Sequence, residues 1–361
     1  MPRRTATMLA STLLFIGLLC VGVLMPVPYA ELGPGPTVNT LGKHGGEPVL
    51  QVDGHRTYPT SGHLNMTTVR VTGSDYRMNL VESVVGWLSH DEAVVPRGTL
   101  YPDDKSAEQV DQENAEEFTA SQESAKVAAL HHLAIPVGSR VIVGSVVKGA
   151  PAENKLHAGD VVRAVDGTKV GKAADIAKAV TKHKPGERAV FTIVPAAKAK
   201  GKDAAATKSL PTTEVAITTA RAPDDGRAVV GIQGGVEHTF PFKIDIKLAD
   251  VGGPSAGLMF SLGLIDKMEP GNLTGGKFVA GTGTIDDDGK VGPIGGISMK
   301  IIAARDKGAE YFLTPADNCA TAAKDTPHGL RLVKVRTLDD ALGALKDIRE
   351  NKTDALPSCG G

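Results

Sequence analysis

Between Thr5 and Pro28 the chain has no charged side chain, and Met8 to Met25 is almost wholly apolar. A run of about 20 such residues crosses the hydrocarbon of a bilayer as a helix, because there a helix alone satisfies its own backbone polar groups. The run predicts a transmembrane anchor within residues 1–30. Arg3 and Arg4 precede it, which puts the short N-terminus in the cytoplasm and the bulk of the chain outside a cell membrane, single-pass. A cleaved signal peptide is the competing reading. Its best cleavage site would follow Ala30, but Pro28 fits poorly three residues before the cut. Cys20 follows Leu19, not the small residue that a lipid-attachment site would want.

With 361 residues the chain has room for two or three domains. Its 40 Lys and Arg balance 41 Asp and Glu, and aromatics are sparse at 4%. No nucleic-acid partner is expected, since phosphate binding needs a basic field. Cys319 and Cys359 would meet an oxidising compartment and could pair, although Cys359 sits in a polar tail. No Cys/His spacing reads as a metal site, and no cofactor is expected.

The organisation is multidomain, α/β and α+β. After the anchor, Glu31 to Pro36 reads as an extended spacer, and residues 48 to 101 as short strands that include Val49–Val52 and Met66–Val71. Residues 102–130 interleave Glu108, Asp111, Glu113, Glu116, Glu117 and Glu123 with Ala, Gln and Ser, the pattern of a solvated helical face. Together 31–124 read as a juxtamembrane, β-rich region with an acidic helix.

From Pro136 to Pro195 the pattern runs strand, helix, strand, with a tight turn at Asp166-Gly167 and a helix over Ala173 to His183. The stretch Gly149-Ala150-Pro151-Ala152, followed by Gly159-Asp160-Val161-Val162 and Val165-Asp166-Gly167, resembles a PDZ domain of the bacterial protease-associated type, over 125–221. That resemblance implies capture of an extended peptide at a sheet edge. Gly138, Ser139, Arg140 and Val141 are the candidate peptide-binding residues by position. Residues 196–209, low-complexity and basic, read as a surface excursion between two strands, and Arg221 to Arg227 as the linker into the last domain, 222–350. Residues 351–361 read as a polar tail.

The chemistry lies in that last domain. Ser255 stands in Gly252-Gly253-Pro254-Ser255-Ala256-Gly257, ahead of an apolar run to Ile265. Lys300 follows Pro293-Ile294-Gly295-Gly296-Ile297-Ser298-Met299, 45 positions later, and opens a second run. A hydroxyl is a poor nucleophile until a base takes its proton. A lysine can be that base once burial lowers its pKa. The pair therefore proposes a Ser-Lys hydrolase. Ser255 falls near a helix N-terminus, where Gly252, Gly253, Pro254, Ala256 and Gly257 would let backbone N–H groups hold an oxyanion. Gly253 to Gly257 also fits the G-x-S-x-G elbow, with Asp317 and His328 following, but the oxyanion mimic His44-Gly45-Gly46 lies in the spacer. Ser145 to Lys148 fits S-x-x-K, but in a strand pattern.

The Gly252–Gly257 and Gly289–Lys300 motifs resemble the proteolytic domain of the Lon family, over about 229–348. With its anchor and PDZ-like region, the whole chain looks like the membrane-anchored, Lon-like PDZ proteases of bacteria. The resemblance implies Ser255 as nucleophile, Lys300 as general base and Thr282 as a threonine that orients the lysine. It implies protein or peptide substrates, recruited with the help of the PDZ-like domain, and allows a homo-oligomer, since Lon-type domains often form rings. Two departures stand out. Gly252 occupies the position three before the serine that is commonly acidic, leaving Asp250 as the nearest carboxylate. No G-x-x-x-x-G-K-[ST] occurs, so ATP use is not expected and substrates should be flexible or unfolded. A membrane-tethered adaptor with a silent peptidase-like domain is the alternative.

Overall fold

The apolar run forms one helix, α1 (Arg3–Leu24), in a computed structural model that describes residues 3–102, 104–248 and 251–360. At 22 residues it is about 33 Å long, enough to cross a bilayer core. In chain order there follow β1 (Tyr29–Asn39), β2 (His63–Val71), α2 (Leu80–Leu88), β3 (Ala93–Pro96) and α3 (Ala107–His132). Next come β4 (Gly138–Val146), β5 (Val161–Val165), α4 (Ala173–Val180), β6 (Arg188–Val194), β7 (Thr213–Thr218) and β8 (Ile232–Thr239). The last stretch holds α5 (Gly257–Met268), β9 (Phe278–Gly281), α6 (Ile297–Asp306), β10 (Tyr311–Pro315), β11 (Arg331–Val335) and α7 (Leu338–Arg349). These elements sort into two units, Met1–Leu133 with Ile244–Gly361, and Ala134–Lys243.

The first unit is built on a sheet of order β11-β10-β9-β2-β1-β3. Strands β2, β9, β10 and β11 run parallel, while β1 is antiparallel to both β2 and β3. Residues 31–124 are therefore not a region apart from the C-terminal domain, as expected from the sequence. Glu31–Pro36, read as a spacer, lies in β1 between two partners. The physical cause is the short apolar strand β9. Its Val279 and Ala280 are fully buried, and its two edges need partners. One partner, β10, lies ahead in sequence; the other, β2, pairs Asn65 with Ala280 and Met66 with Gly281 across more than 200 positions of chain.

Helix α5 is apolar on almost every side, so it must be covered on both faces. The sheet covers one face. On the other, Phe118 of α3 meets Phe260 edge to face at 5.9 Å, and Ser261 Oγ donates to the Ala125 carbonyl at 3.1 Å. The acidic helix is thus solvated along one side only; Phe118, Ser121, Ala125 and Ala128 of its other side are buried. The tail is also tied down: Cys359 is disulfide-bonded to Cys319, Leu356 is buried, and Lys334 N–H donates to the Pro357 carbonyl.

The second unit is a sheet of order β7-β6-β5-β4-β8 around Val143, Val165, Phe191 and Ile217, with α4 packed on it. Its boundary corrects the expected linker. Residues 228–243 do not enter the C-terminal domain: β8 pairs with β4 from Ile232↔Val146 to Thr239↔Gly138 and completes this sheet. The Gly-rich run that suggested a new domain is an edge strand. Gly234 has no Cβ because one would stand 3.1 Å from the Ala173 carbonyl oxygen, so glycine there lets α4 lie close to β8. Residues 196–209 are two short helices, Ala196–Ala199 and Ala204–Lys208, between β6 and β7.

Candidate functional site

Ser255 lies two residues ahead of α5, in a turn that α3 braces from outside. Gly253 N–H donates to the Asn114 carbonyl at 2.9 Å, and Ser121 Oγ donates to the Pro254 carbonyl at 2.9 Å. Gly252 lies against Asn114, where a Cβ would approach to 3.1 Å. A Cβ on Gly257 would stand 2.9 Å from Ile285 Cγ2, so α5 can start there only with glycine. The positive φ of Gly253, 80°, makes the turn. Asp250 lies outside the described residues.

Thr282 follows β9, at the carboxyl end of a parallel strand, where open α/β sheets place their sites. Its Oγ1 donates to the Ser255 carbonyl at 3.0 Å, and Gly283 N–H donates to the same oxygen at 2.9 Å. Two donors on one carbonyl fix the backbone of the serine.

Lys300 comes from α6, in its first turn. Gly296 caps it in the left-handed conformation, φ 67°, and Ile297, Ile301 and Ala304 anchor it in the core with Ala280 and Phe312. That stripe carries Lys300 inward. The side chain is 1% exposed. Its Nζ donates to Ser255 Oγ at 2.7 Å and to Thr282 Oγ1 at 3.1 Å. Burial lowers its pKa from 10.5 to about 7, because desolvation penalises the ammonium. A neutral lysine in contact with a serine hydroxyl can take its proton. Beside them, Pro254, Ser255, Thr284, Pro293, Ile294 and Gly295 line an open cleft of about 320 Å³.

The structure thus brings Ser255, Lys300 and Thr282 together. In the glycine loop, Gly253 N–H is committed to the Asn114 carbonyl and Pro254 has no N–H, so neither is available to a substrate. Asn114 and Ser121 were not singled out from the sequence; their only signal is the spacing of Phe118, Ser121 and Ala125 along one helical face.

Gly138, Ser139, Arg140 and Val141 already have a strand beside them, pairing with Thr239 to Val236. They lie on β4, an inner strand paired with β5 and β8. Arg140 is buried in a two-point ion pair with Glu237, Nε to Oε2 2.9 Å and Nη2 to Oε1 2.8 Å. Its Nη1 donates to the carbonyls of Ala199 and Lys202 and to Thr207 Oγ1, which fastens the 196–209 excursion to the sheet. Among the described residues β8 stands last in the strand order on that side of the sheet, beside a groove. There Ile176 and Val180 of α4 face Val229, Gly231, Ile232 and Gly234 across a groove of about 180 Å³, which Arg227, ion-paired with Asp225 at 3.3 Å, also lines.

Residues 249–346 match the family model described as the Lon protease (S16) C-terminal proteolytic domain, and residues 111–203 match a PDZ domain. The chain carries a Lon-type proteolytic domain and a PDZ domain. Among curated proteins, "Lon protease" of Azospirillum brasilense is 36% identical over 93 residues, 25% of this chain and 11% of that protein. "Lon protease 2" of Bacillus subtilis (strain 168) is 33% identical over 92 residues, 26% of this chain and 16% of that protein. The likeness to these Lon proteases is therefore confined to a small part of their length. Among solved structures, the PDZ domain of the SdrC-like protein of Listeria monocytogenes covers 26% of this chain and 84% of that chain at 20% identity and TM-score 0.21. That of Listeria innocua covers 26% and 92% at 22% identity and TM-score 0.21.

Proposed function

We propose that this Lon-like protein is a membrane-anchored serine endopeptidase that works without ATP on unfolded or extended protein segments outside the cytoplasm. The observation that carries this reading is the buried Lys300 Nζ, 2.7 Å from Ser255 Oγ, with its pKa brought down to about 7. Neutral Lys300 takes the Ser255 proton as Oγ attacks the peptide carbonyl. N–H groups of the turn after Pro254 hold the oxyanion. Lys300 then gives the proton to the leaving amine, and an acyl-enzyme remains. Water enters, Lys300 takes its proton, and the acid product leaves with Ser255 restored. Thr282 accepts from Lys300 and so aims the lysine at the serine. The Cys319–Cys359 disulfide and the α1 helix support an extracytoplasmic, tethered location. The edge of β8, beside the groove under α4, recruits an extended peptide by strand addition.

The test is casein digestion without ATP by the detergent-solubilised full chain and its Ser255→Ala and Lys300→Met variants, followed by mass spectrometry. Cleavage by the parent and by neither variant is expected. Equal cleavage by Ser255→Ala would remove the serine from the mechanism. If the folded parent binds C-terminal peptides but cuts nothing, the tethered-adaptor reading replaces this one.

A further inference from the structure

Only short strands are expected from the sequence between residues 48 and 101, yet α2 (Leu80–Leu88) falls inside that stretch. It is a well-formed helix. Asn79 Oδ1 accepts from Glu82 N–H at 2.9 Å and Glu82 Oε2 accepts from Asn79 N–H at 2.9 Å, a reciprocal N-terminal cap. Its inner face is small: Ser83 and Gly86 are buried, and a Cβ on Gly86 would stand 2.7 Å from Val94 Cγ2 of β3. Its outer face is the reverse of what water favours. Leu80, Val81, Val84, Val85, Trp87 and Leu88 are all exposed, from 39% at Val81 to 82% at Leu88. On a helical wheel these six occupy one arc opposite Ser83 and Gly86.

The neighbour of that arc is α1. The two helices touch, with Val81 Cγ2 3.6 Å from where a Cβ on Gly22 would stand. The chain leaving α1 is stitched to the start of α2: Val27 N–H donates to the Met78 carbonyl at 2.9 Å, and Pro26 bridges to Asn79. The apolar face of α2 is therefore continuous with the apolar surface of α1, at the end where the chain would leave a bilayer.

We infer that α2 is an interfacial helix, its Leu80–Leu88 apolar face sunk into the headgroup and acyl boundary of the same bilayer that α1 spans. The inference rests on the reading of α1 as a membrane anchor. An amphipathic helix with bulky apolar residues and a tryptophan lies in that boundary by burying its apolar side. A second contact does what one spanning helix cannot. A lone anchor leaves the attached domain free to swivel, whereas α2 packs on β1 and β3, in the sheet that also holds β9 and Thr282. The protease sheet is then held to the membrane at two points, and the Ser255 cleft keeps a set height and orientation. Protein segments lying near the membrane surface become the reachable substrates.

Trp87 is the chain's single tryptophan, so intrinsic fluorescence reports α2 alone. The full chain would be reconstituted into phosphatidylcholine vesicles, some carrying lipid brominated near the headgroup end of the acyl chain. Alkaline carbonate washing would report on α1 separately. Expected are retention in the vesicles, Trp87 emission shifted to the blue, quenching by the brominated lipid and protection from aqueous iodide. The Val85→Asp/Leu88→Asp variant should cleave casein in detergent as the parent does, yet lose the shift and become open to iodide. Retention with Trp87 open to iodide and untouched by bromine would overturn the inference and leave the anchor. Protection from both quenchers would also overturn it, since a second protein surface would then cover α2. Release by carbonate would overturn the anchor reading and this inference with it, without touching the casein result.

Discussion

At the scale of single residues, the site depends on keeping Lys300 dry. Its pKa of about 7 has desolvation as its cause, and the neutral form is held against a normal value of 10.5. The unfolded chain takes up that proton as pH falls below 10.5, while the folded chain does so only near 7. Burial of this lysine therefore costs stability progressively from pH 10.5 down to about 7, and roughly 4 kcal/mol at neutrality. Lys300→Met should abolish cleavage and at the same time raise the unfolding free energy at pH 7 by roughly 3 kcal/mol, after the lost hydrogen bonds are counted. A chemical-denaturation curve checks this, and a destabilised variant would contradict it. For the parent, kcat/KM should rise through pH 7 to a plateau, and at pH 5 stand at about one hundredth of it. A profile flat down to pH 5 would remove Lys300 as the base. Thr282→Val should lower kcat between about ten- and a hundredfold with KM little changed, because it frees the lysine to point elsewhere. Thr282→Ser should restore most of the rate, which a purely structural threonine would not require.

At the scale of elements, each partner of the site owes its place to a neighbouring helix or strand. Helix α6 delivers Lys300 because Ile297, Ile301 and Ala304 are held in the core. The serine turn is held by α3 through Ser121 and the Asn114 carbonyl. Ser121→Ala should lose about 1 kcal/mol of stability and lower kcat more than KM, since the turn bearing Ser255 loosens. Steady-state kinetics alongside thermal unfolding would separate the two effects; an unchanged kcat would make α3 a cover for α5 and nothing more. The helices around Ser255 and Lys300 were legible because glycine punctuation precedes long apolar runs. The bracing side of α3 was not. Its buried positions are Ser and Ala between glutamates, and small residues look alike whether they face water or a neighbouring helix. Helix α2 was hidden for a related reason: its apolar residues run nearly without alternation, a pattern that helix and strand share over nine residues.

At the scale of the whole molecule, the protease unit is closed by a strand order that joins both ends of the chain and by a covalent clamp. The Cys319–Cys359 bond closes a loop of 40 positions and fastens the segment after α7 to the body of the unit. By loop-closure entropy it contributes up to about 4 kcal/mol. Cys359→Ser should lower the denaturant midpoint of the full chain and, by freeing the unfolded chain to expand, steepen the transition. A parent insensitive to reductant, with a variant of the same midpoint, would show that the bond adds nothing.

The sequence by itself determined the local patterns: an apolar run long enough for a bilayer, a serine and a lysine in glycine-rich turns, and the PDZ-like pattern of turns and strands. These signals are short-range, carried by residues a few positions apart. Only the tertiary structure decided which strands share a sheet. The N-terminal β1, β2 and β3 join β9 to β11, and the 228–239 segment closes the sheet of the other unit. Partner choice between distant strands depends on burying β9 and β4 on both edges, which no window of sequence contains. It also placed Arg140, a candidate peptide contact by position, in a buried ion pair with Glu237. The pKa of Lys300 belongs to the same class, because desolvation is a property of everything packed around the side chain rather than of the lysine's sequence neighbours.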